Sequence, residues 1–153
     1  MDFWIAGDAD VLVTIQPHQF NLPLADMHVQ VEGTSPDVNS AYGLVCRYTD
    51  QDNYYTIHVS SDGNFWLYKR VGGNWTNLGS GPNSAVQVNN SVELWCVGNE
   101  ISAAVNGTTV IDVHDDSLTE GNAGLFAQPL GGALAGGQSY TVTFQYFEMT
   151  VYP

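Results

Sequence analysis

The sequence predicts an all-β protein, either a sandwich of two antiparallel sheets or a barrel. Runs of alternating polar and apolar residues, rich in β-branched and aromatic side chains, recur along the whole chain. Turn residues separate these runs, and no longer stretch repeats its apolar residues with a helical period. Many short strands at such spacing are typical of both architectures. The predicted strands are VLVTIQ, MHVQVEG, AYGLVCRY, NYYTIHV, NFWLYKR, SVELWCVG, EISAAVNG, TTVIDV, NAGLFAQ and YTVTFQYFEMTVY.

Hairpin turns are predicted between several of these strands. Residues 61–64, Ser-Asp-Gly-Asn, separate two strands, and residues 72–74, Gly-Gly-Asn, mark another turn, with Trp75 expected in that exposed loop. Asn106-Gly107 is the preferred pair for a type I′ turn. A Gly-rich loop, GGALAGGQS, precedes the last strand.

The last strand changes its alternation along its length. Its apolar positions run through Phe144 and then resume at Phe147. A side-chain period of two cannot include both residues. We therefore expect a β-bulge, or a strand that passes between sheets, near residues 145–147.

Alternation also divides the central strands into two faces. The predicted core face is Leu44, Cys46, Ile57, Val59, Leu67, Leu94 and Cys96. The opposite face, a polar sheet surface that carries aromatic rings, is Arg47, Thr56, His58, Trp66, Tyr68, Arg70, Glu93 and Trp95. His58 is then expected to be an exposed strand residue.

Charge limits the partners. The chain has 153 residues, enough for one domain with a real core, and a net charge of −13. Such a charge repels phosphate backbones and anionic lipids, so nucleic acid is not expected as a partner. No apolar run is long enough to span a membrane. The composition suits solubility outside the cell, calcium, or uncharged ligands such as sugars.

The two cysteines, Cys46 and Cys96, both fall in predicted strands. An even number of cysteines in a lysine-poor chain rich in Asn, Ser, Thr and Gly favours an oxidising compartment and a disulfide. The alternative is a pair of buried free thiols, which pack as small apolar side chains.

Several motifs together resemble the concanavalin-A-like (LamG-like) jelly-roll domains. The nearest group is the 3-keto-disaccharide hydrolase type domains of bacterial secreted and surface proteins. The resemblance covers about residues 27 to 152 and includes GLVCR, DQDNYY, SSDG, VNG, GNAGLFA and the closing FQYF. It implies a two-sheet antiparallel jelly-roll sandwich over 1–153. Since the family usually has a further strand or two before Phe3, it also implies a domain clipped at its N-terminus. Many members of the family are non-catalytic modules.

Catalysis is not favoured by the carboxylates. Glycoside hydrolysis uses two carboxyl groups about 5 to 9.5 Å apart. A Glu-x-Asp-x-x-Glu strand is absent, and Glu93 is the one glutamate in the middle of a strand on the predicted polar face. Glu93 is the catalytic candidate if the chain is an enzyme; the alternative is an ion pair with Arg47 or Arg70.

Calcium is the expected metal if one binds, because hard oxygen ligands are plentiful. The resemblance also implies a structural calcium at the rim of the fold. The alternative is that Asp and Asn here only form turns. The candidate ligands are Asp8, Asp10, Asp50, Asp52, Asn53, Asp112, Asp115, Asp116 and Glu120.

Carbohydrate binding needs flat rings against the sugar and planar polar groups for its hydroxyls. The predicted ligand-binding residues combine both: Arg47, Tyr54, His58, Trp66, Tyr68, Arg70, Glu93 and Trp95. The alternative is that these rings pack under a loop or against a neighbouring domain.

We therefore predict an extracellular or cell-surface, non-catalytic module of a larger chain that binds carbohydrate or a cell-surface protein. A glycan hydrolase or lyase of the 3-keto-disaccharide type is one alternative. A structural or adhesive subunit of a surface assembly is the other.

Overall fold

The computed structural model describes residues 2–6, 11–15, 24–130 and 139–153, and every regular element in these ranges is a β-strand. The all-β prediction is confirmed. The Gly-rich segment 131–138 and the possible ligands Asp8 and Asp10 lie outside the described residues. The strands are β1 Asp2–Ala6, β2 Val11–Ile15, β3 Asp26–Thr34, β4 Ser40–Asp50, β5 Asn53–Ser60, β6 Asn64–Val71, β7 Asn74–Pro82, β8 Asn89–Val97, β9 Glu100–Val105, β10 Thr108–His114, β11 Asn122–Pro129 and β12 Ser139–Tyr152.

These strands form two six-stranded sheets. Sheet I has the order β1-β12-β3-β8-β9-β10, and sheet II has the order β2-β11-β4-β5-β6-β7. All the pairings are antiparallel. The architecture is therefore the predicted jelly-roll sandwich and not a barrel. Across the described residues, no helix is long and apolar enough to cross a membrane.

The core lies between the two sheets and matches the predicted core face. Burial of such apolar side chains is the main favourable contribution to folding. Each of the following residues has no exposed surface: Leu44, Cys46, Ile57, Val59, Leu67, Leu94 and Cys96. A disulfide joins Cys46 on β4 to Cys96 on β8, with the Cα atoms 6.6 Å apart, so the predicted bridge is confirmed and links the two sheets.

The predicted irregularities in the backbone are also present. The register of β12 against β3 shifts between Phe144 and Tyr146, which is the expected bulge. Asn106 and Gly107 have φ angles of 50° and 79°, as a type I′ turn requires.

The position predicted for Trp75 is wrong. Gly72 and Gly73, with φ angles of 56° and 80°, complete the turn by themselves. The ladder resumes at once, with Asn74 paired to Val71. Trp75 is therefore the second residue of strand β7 and not a loop residue, but its predicted exposure is confirmed, since the residue is 42% exposed.

Candidate functional site

The outer face of sheet II gathers the predicted residues of β5 and β6. The antiparallel register places His58 opposite Trp66 and Thr56 opposite Tyr68. The same register places Tyr54 opposite Arg70. Directly opposed side chains lie close together on one face of a sheet, so these residues are neighbours on that face.

Glu93 and Trp95 do not belong to that surface, so the prediction of a single face is wrong. Both residues lie on β8, which pairs with β3 and β9 in sheet I. Both side chains point away from the core, as the alternation along the strand predicted. They do so on the outer face of sheet I, however, which is the opposite side of the sandwich from sheet II. Alternation along a strand shows whether a side chain faces the core, but it does not show which sheet the strand joins.

Arg47 is also misplaced by the prediction. It has a φ of 50° and lies where the register of β4 against β5 is interrupted, after Cys46. Because this bulge redirects its side chain, Arg47 is 1% exposed instead of lying on the outer face. Its guanidinium donates hydrogen bonds of 2.8 to 2.9 Å to three carbonyl oxygens and reaches one carboxylate at 3.4 Å; the partners are Ala25, Leu118, Gly98 and Asp26.

Neither predicted ion pair of Glu93 forms. Its carboxylate lies 3.0 Å from Nε2 of His28, and Arg70 instead lies 3.3 Å from the carboxylate of Asp52. The reason is the sheet assignment, because Arg70 lies in sheet II and Arg47 is buried between the sheets.

His58 is buried, not exposed as predicted. It is 1% exposed, and its imidazole stacks on Phe126 with the centroids 4.1 Å apart and the planes 9° apart. The side-chain nitrogen of Gln128 lies 3.3 Å from Nδ1. Burial lowers the pKa of His58 to about 3, so the ring is neutral. Its Nε2 and the hydroxyl of Thr56 are buried and have no hydrogen-bond partner among the described residues.

A depression of about 250 Å³ opens above His58. It is lined by His58, Tyr68, Trp75 and Gln128, and we call it the sheet II depression. The rings of Tyr68 and Trp75 meet edge to face at 5.7 Å. The guanidinium carbon of Arg70 lies 5.2 Å from the Trp75 ring, so that Asp52, Arg70 and Trp75 form a chain of contacts.

Two lining residues were not among the predicted ligand-binding residues. Trp75 was expected to be exposed, but it reaches this face because β7 pairs with β6 and sets Trp75 opposite Arg70. Gln128 comes from β11, where it follows Phe126 by two residues on the same face. Tyr54 is 2% exposed and supports Trp75 from below the surface, with the rings 5.7 Å apart.

Several of the calcium candidates have other partners. The carboxylate of Asp50 accepts hydrogen bonds of 2.8 Å from the Asp52 amide and the Asn53 side chain, and these bonds lower its pKa. Asp115 accepts a 2.6 Å hydrogen bond from Tyr55 and pairs with Lys69. Asp112 and Asp116 are exposed. No three His, Cys, Asp or Glu side chains gather around a possible metal position in the described parts of the chain.

A second pocket, of about 350 Å³, lies on the outer face of sheet I. It is lined by Trp95, Val97, Glu100, Ser102 and Thr109. We call it the sheet I pocket.

Comparison with known proteins identifies the fold. No protein-family model and no curated sequence matches the chain. Among solved structures, the carbohydrate binding module CBM66 from Bacillus subtilis is 20% identical, with a TM-score of 0.72 over 93% of this chain and 82% of that one. Sheep galectin-11 is 12% identical, with a TM-score of 0.58 over 95% and 99% of the two chains. The GH43 protein BlXynB from Bacillus licheniformis is 14% identical, with a TM-score of 0.63 over 84% of this chain and 28% of that one. These likenesses support the concanavalin-A-like sandwich that the motifs predicted.

Proposed function

We propose that the chain is an extracellular, non-catalytic module that binds carbohydrate in the sheet II depression. The observation that carries the proposal is the unpaired Nε2 of His58, a fully buried polar atom in a residue that lines an open depression. Leaving such an atom without a partner costs about 1 to 3 kcal/mol. A ligand oxygen that displaced the groups covering Nε2 would bond to it and remove this cost, which favours a polar ligand.

The aromatic rings supply the other half of a sugar site. Trp75 is exposed and Tyr68 is half-buried, so both rings present surface on which an apolar sugar face can pack. Arg70, held by Asp52, lies against the Trp75 ring and restrains it. A ring held in place before binding loses little side-chain entropy when the ligand arrives.

The hydrogen-bonding pattern favours an uncharged ligand. When the Gln128 amide donates to Nδ1 of His58, the ring proton lies on Nε2, which then donates to a ligand oxygen. A sugar hydroxyl can accept this bond without bringing a charge into the site. The volume of about 250 Å³ is small, which favours one sugar ring over a long polymer.

The proteins of similar fold support the same reading. They include a carbohydrate binding module and galectins. The disulfide supports an extracellular location, because such bonds persist in oxidising compartments. In the GH43 protein the matching region makes up only 28% of the chain, so a domain of this fold occurs there as part of a longer protein. This supports the proposal that the present chain is a module of a longer protein.

A glycan array followed by titration calorimetry on the best ligand tests the proposal. Trp75→Ala should weaken binding about 2- to 12-fold, since stacking on an aromatic ring contributes about 0.5 to 1.5 kcal/mol. Trp95→Ala is the matched control, because it removes a tryptophan from the other sheet, and it should leave sugar affinity unchanged. The proposal is wrong if the array shows no ligand, or if both variants lose affinity equally. Release of sugar products during the assay would show an enzyme instead.

A further inference from the structure

The lysine and arginine residues are confined to one sheet of the molecule. The chain has three Lys and Arg residues, and all of them lie on β4 or β6 of sheet II. Each has a carboxylate partner: Arg47 with Asp26, Lys69 with Asp115, and Arg70 with Asp52. The strands of sheet I therefore carry neither lysine nor arginine.

Negative charge, in contrast, covers the outer face of sheet I. The outward positions of β3, β8, β9, β10 and β12 follow from the pairing register and from the buried residues between them. A surface of one sign raises the local concentration of groups of the opposite sign. The carboxylates on this face are Glu32, Glu93, Glu100, Asp112 and Glu148.

The sheet I pocket places an aromatic ring within this acidic face. Trp95 is half-buried, and His28 stacks on it with the centroids 4.3 Å apart and the planes 7° apart. Glu93 lies 3.0 Å from Nε2 of His28 and fixes the orientation of that ring. Trp95 is thus held in position, beside the exposed side chain of Glu100 and the hydroxyls of Ser102 and Thr109.

We infer that the sheet I pocket binds a positively charged side chain, a lysine or an arginine, from a basic segment of a partner protein. Tryptophan gives the strongest cation–π contact among the aromatic side chains. Glu100 supplies the opposite charge, and the hydroxyls of Ser102 and Thr109 can accept hydrogen bonds from an ammonium or guanidinium group. This inference does not depend on sugar binding in the sheet II depression.

The negative charge of this face also disfavours two other occupants of the sheet I pocket, a second copy of the chain and a neutral sugar. A second copy of this chain would bring a further net charge of −13 to the same face, and its three cations are already paired. A neutral sugar could stack on Trp95 and donate a hydroxyl hydrogen bond to Glu100, but it would gain nothing from the net negative charge of this face. A cationic group gains from both, so it is the occupant that the observations favour.

Titration calorimetry with an acetylated, amidated hexalysine peptide tests the inference at about 20 mM and about 150 mM salt. Trp95→Ala should weaken binding about fivefold or more, and Trp95→Phe should weaken it less because a ring remains. Glu100→Gln should weaken binding severalfold. Glu120→Gln, an identical charge change at an exposed position outside the pocket, should change affinity less than twofold. Thermal unfolding of each variant confirms that it is folded.

Three outcomes would overturn the inference. The first is an absence of peptide binding at the lower salt concentration. The second is an equal loss of peptide affinity in Glu100→Gln and Glu120→Gln, with no loss in Trp95→Ala. That result would show that the peptide is attracted only by the overall negative charge. The third is binding of a neutral glycan that Trp95→Ala abolishes, which would make the pocket a second sugar site. Trp75→Ala should leave peptide affinity unchanged, so failure of the sugar proposal is recognised separately.

Discussion

The imidazole of His58 and the ring of Phe126 stack at 4.1 Å across a strand that lies between them. That strand is β4, and the residue paired with both rings is Gly43. Because Gly43 has no side chain, the rings from β5 and β11 meet above its backbone. The stack that forms the floor of the sheet II depression therefore depends on a glycine that contributes no contact of its own.

Gly43→Ala should destabilise the fold and weaken sugar binding together. A Cβ atom at this position would overlap the carbonyl oxygen of Ile57 on the neighbouring strand. Relieving that overlap requires β4 and β5 to shift, at a cost of about 1 to 3 kcal/mol in the free energy of unfolding. Urea unfolding and calorimetry measure the two effects. Gly107→Ala is the control: its φ of 79° makes alanine strained, so the variant should lose stability, but the turn lies outside the depression and sugar binding should stay intact.

The buried neutral His58 should make the protein less stable in mild acid. Burial lowers the pKa of His58 from 6.5 to about 3. Below pH 6.5, His58 therefore binds a proton in the unfolded chain but stays neutral in the folded chain. The free energy of unfolding is consequently highest above pH 6.5 and decreases as the pH falls toward 3. The slope from one such group is at most about 1.4 kcal/mol per pH unit.

His58→Gln removes this titration and should flatten the dependence between pH 6.5 and 4. The other groups contribute to both proteins and cancel when the two slopes are subtracted. Urea unfolding at several pH values measures the difference. Equal slopes would contradict the assignment of a buried neutral ring. In the wild-type protein, sugar affinity should stay constant from pH 8 to 5, because His58 does not change charge in that range.

Arg47 should be essential for stability and not for ligand binding. Its guanidinium makes hydrogen bonds to three carbonyl oxygens in a buried position. Arg47→Met leaves those acceptors unpaired and should cost about 3 to 5 kcal/mol. Arg47→Lys should also be destabilising, because an ammonium cannot reproduce the planar arrangement of donors.

Arg70→Lys is the matched control for Arg47→Lys. Arg70 is partly exposed, and its pair with Asp52 lies at the surface, so the loss should be below about 1 kcal/mol. Chemical denaturation measures both variants. Similar losses at the two positions would show that the buried hydrogen bonds of Arg47 contribute less than the geometry indicates.

The disulfide should contribute substantially to the free energy of unfolding. It joins cysteines separated by 50 residues, and closing a loop of that size restricts the unfolded chain. The double variant Cys46→Ala, Cys96→Ala should lose about 2 to 4 kcal/mol. Mass spectrometry with and without reductant counts the thiols in the wild-type protein purified without reductant. Two free thiols there would contradict the bridge.

Local alternation was enough to predict the strands and the core, but not the site. Leu44 and Ile57 were correctly placed inside because side chains alternate along any strand. Trp95 was assigned to the wrong sheet because sheet membership depends on pairing with β3, which is distant in the sequence. Such long-range pairing leaves no local pattern.

The bulge at Arg47 and the floor of the depression were missed for related reasons. A bulge adds a residue without changing the composition of the strand, so the alternation through Val45 gave no warning at Arg47. Gln128 and His58 come together only because β11 and β5 both pair with β4. Exposure of His58 was predicted from its place on the outward face of its strand, whereas its neighbours Phe126 and Gln128 determine its burial.

The complete pairing of the cations has a consequence for the response of the fold to dissolved salt. In many proteins, added salt screens attractive and repulsive interactions between surface charges alike, so the two effects largely offset each other. Here three cations face sixteen acidic residues, so most carboxylates have no opposite charge and repel one another. Counterions screen this repulsion over about 8 to 10 Å at physiological ionic strength. The sandwich should therefore melt at a higher temperature as sodium chloride is added, which makes it a protein suited to saline surroundings.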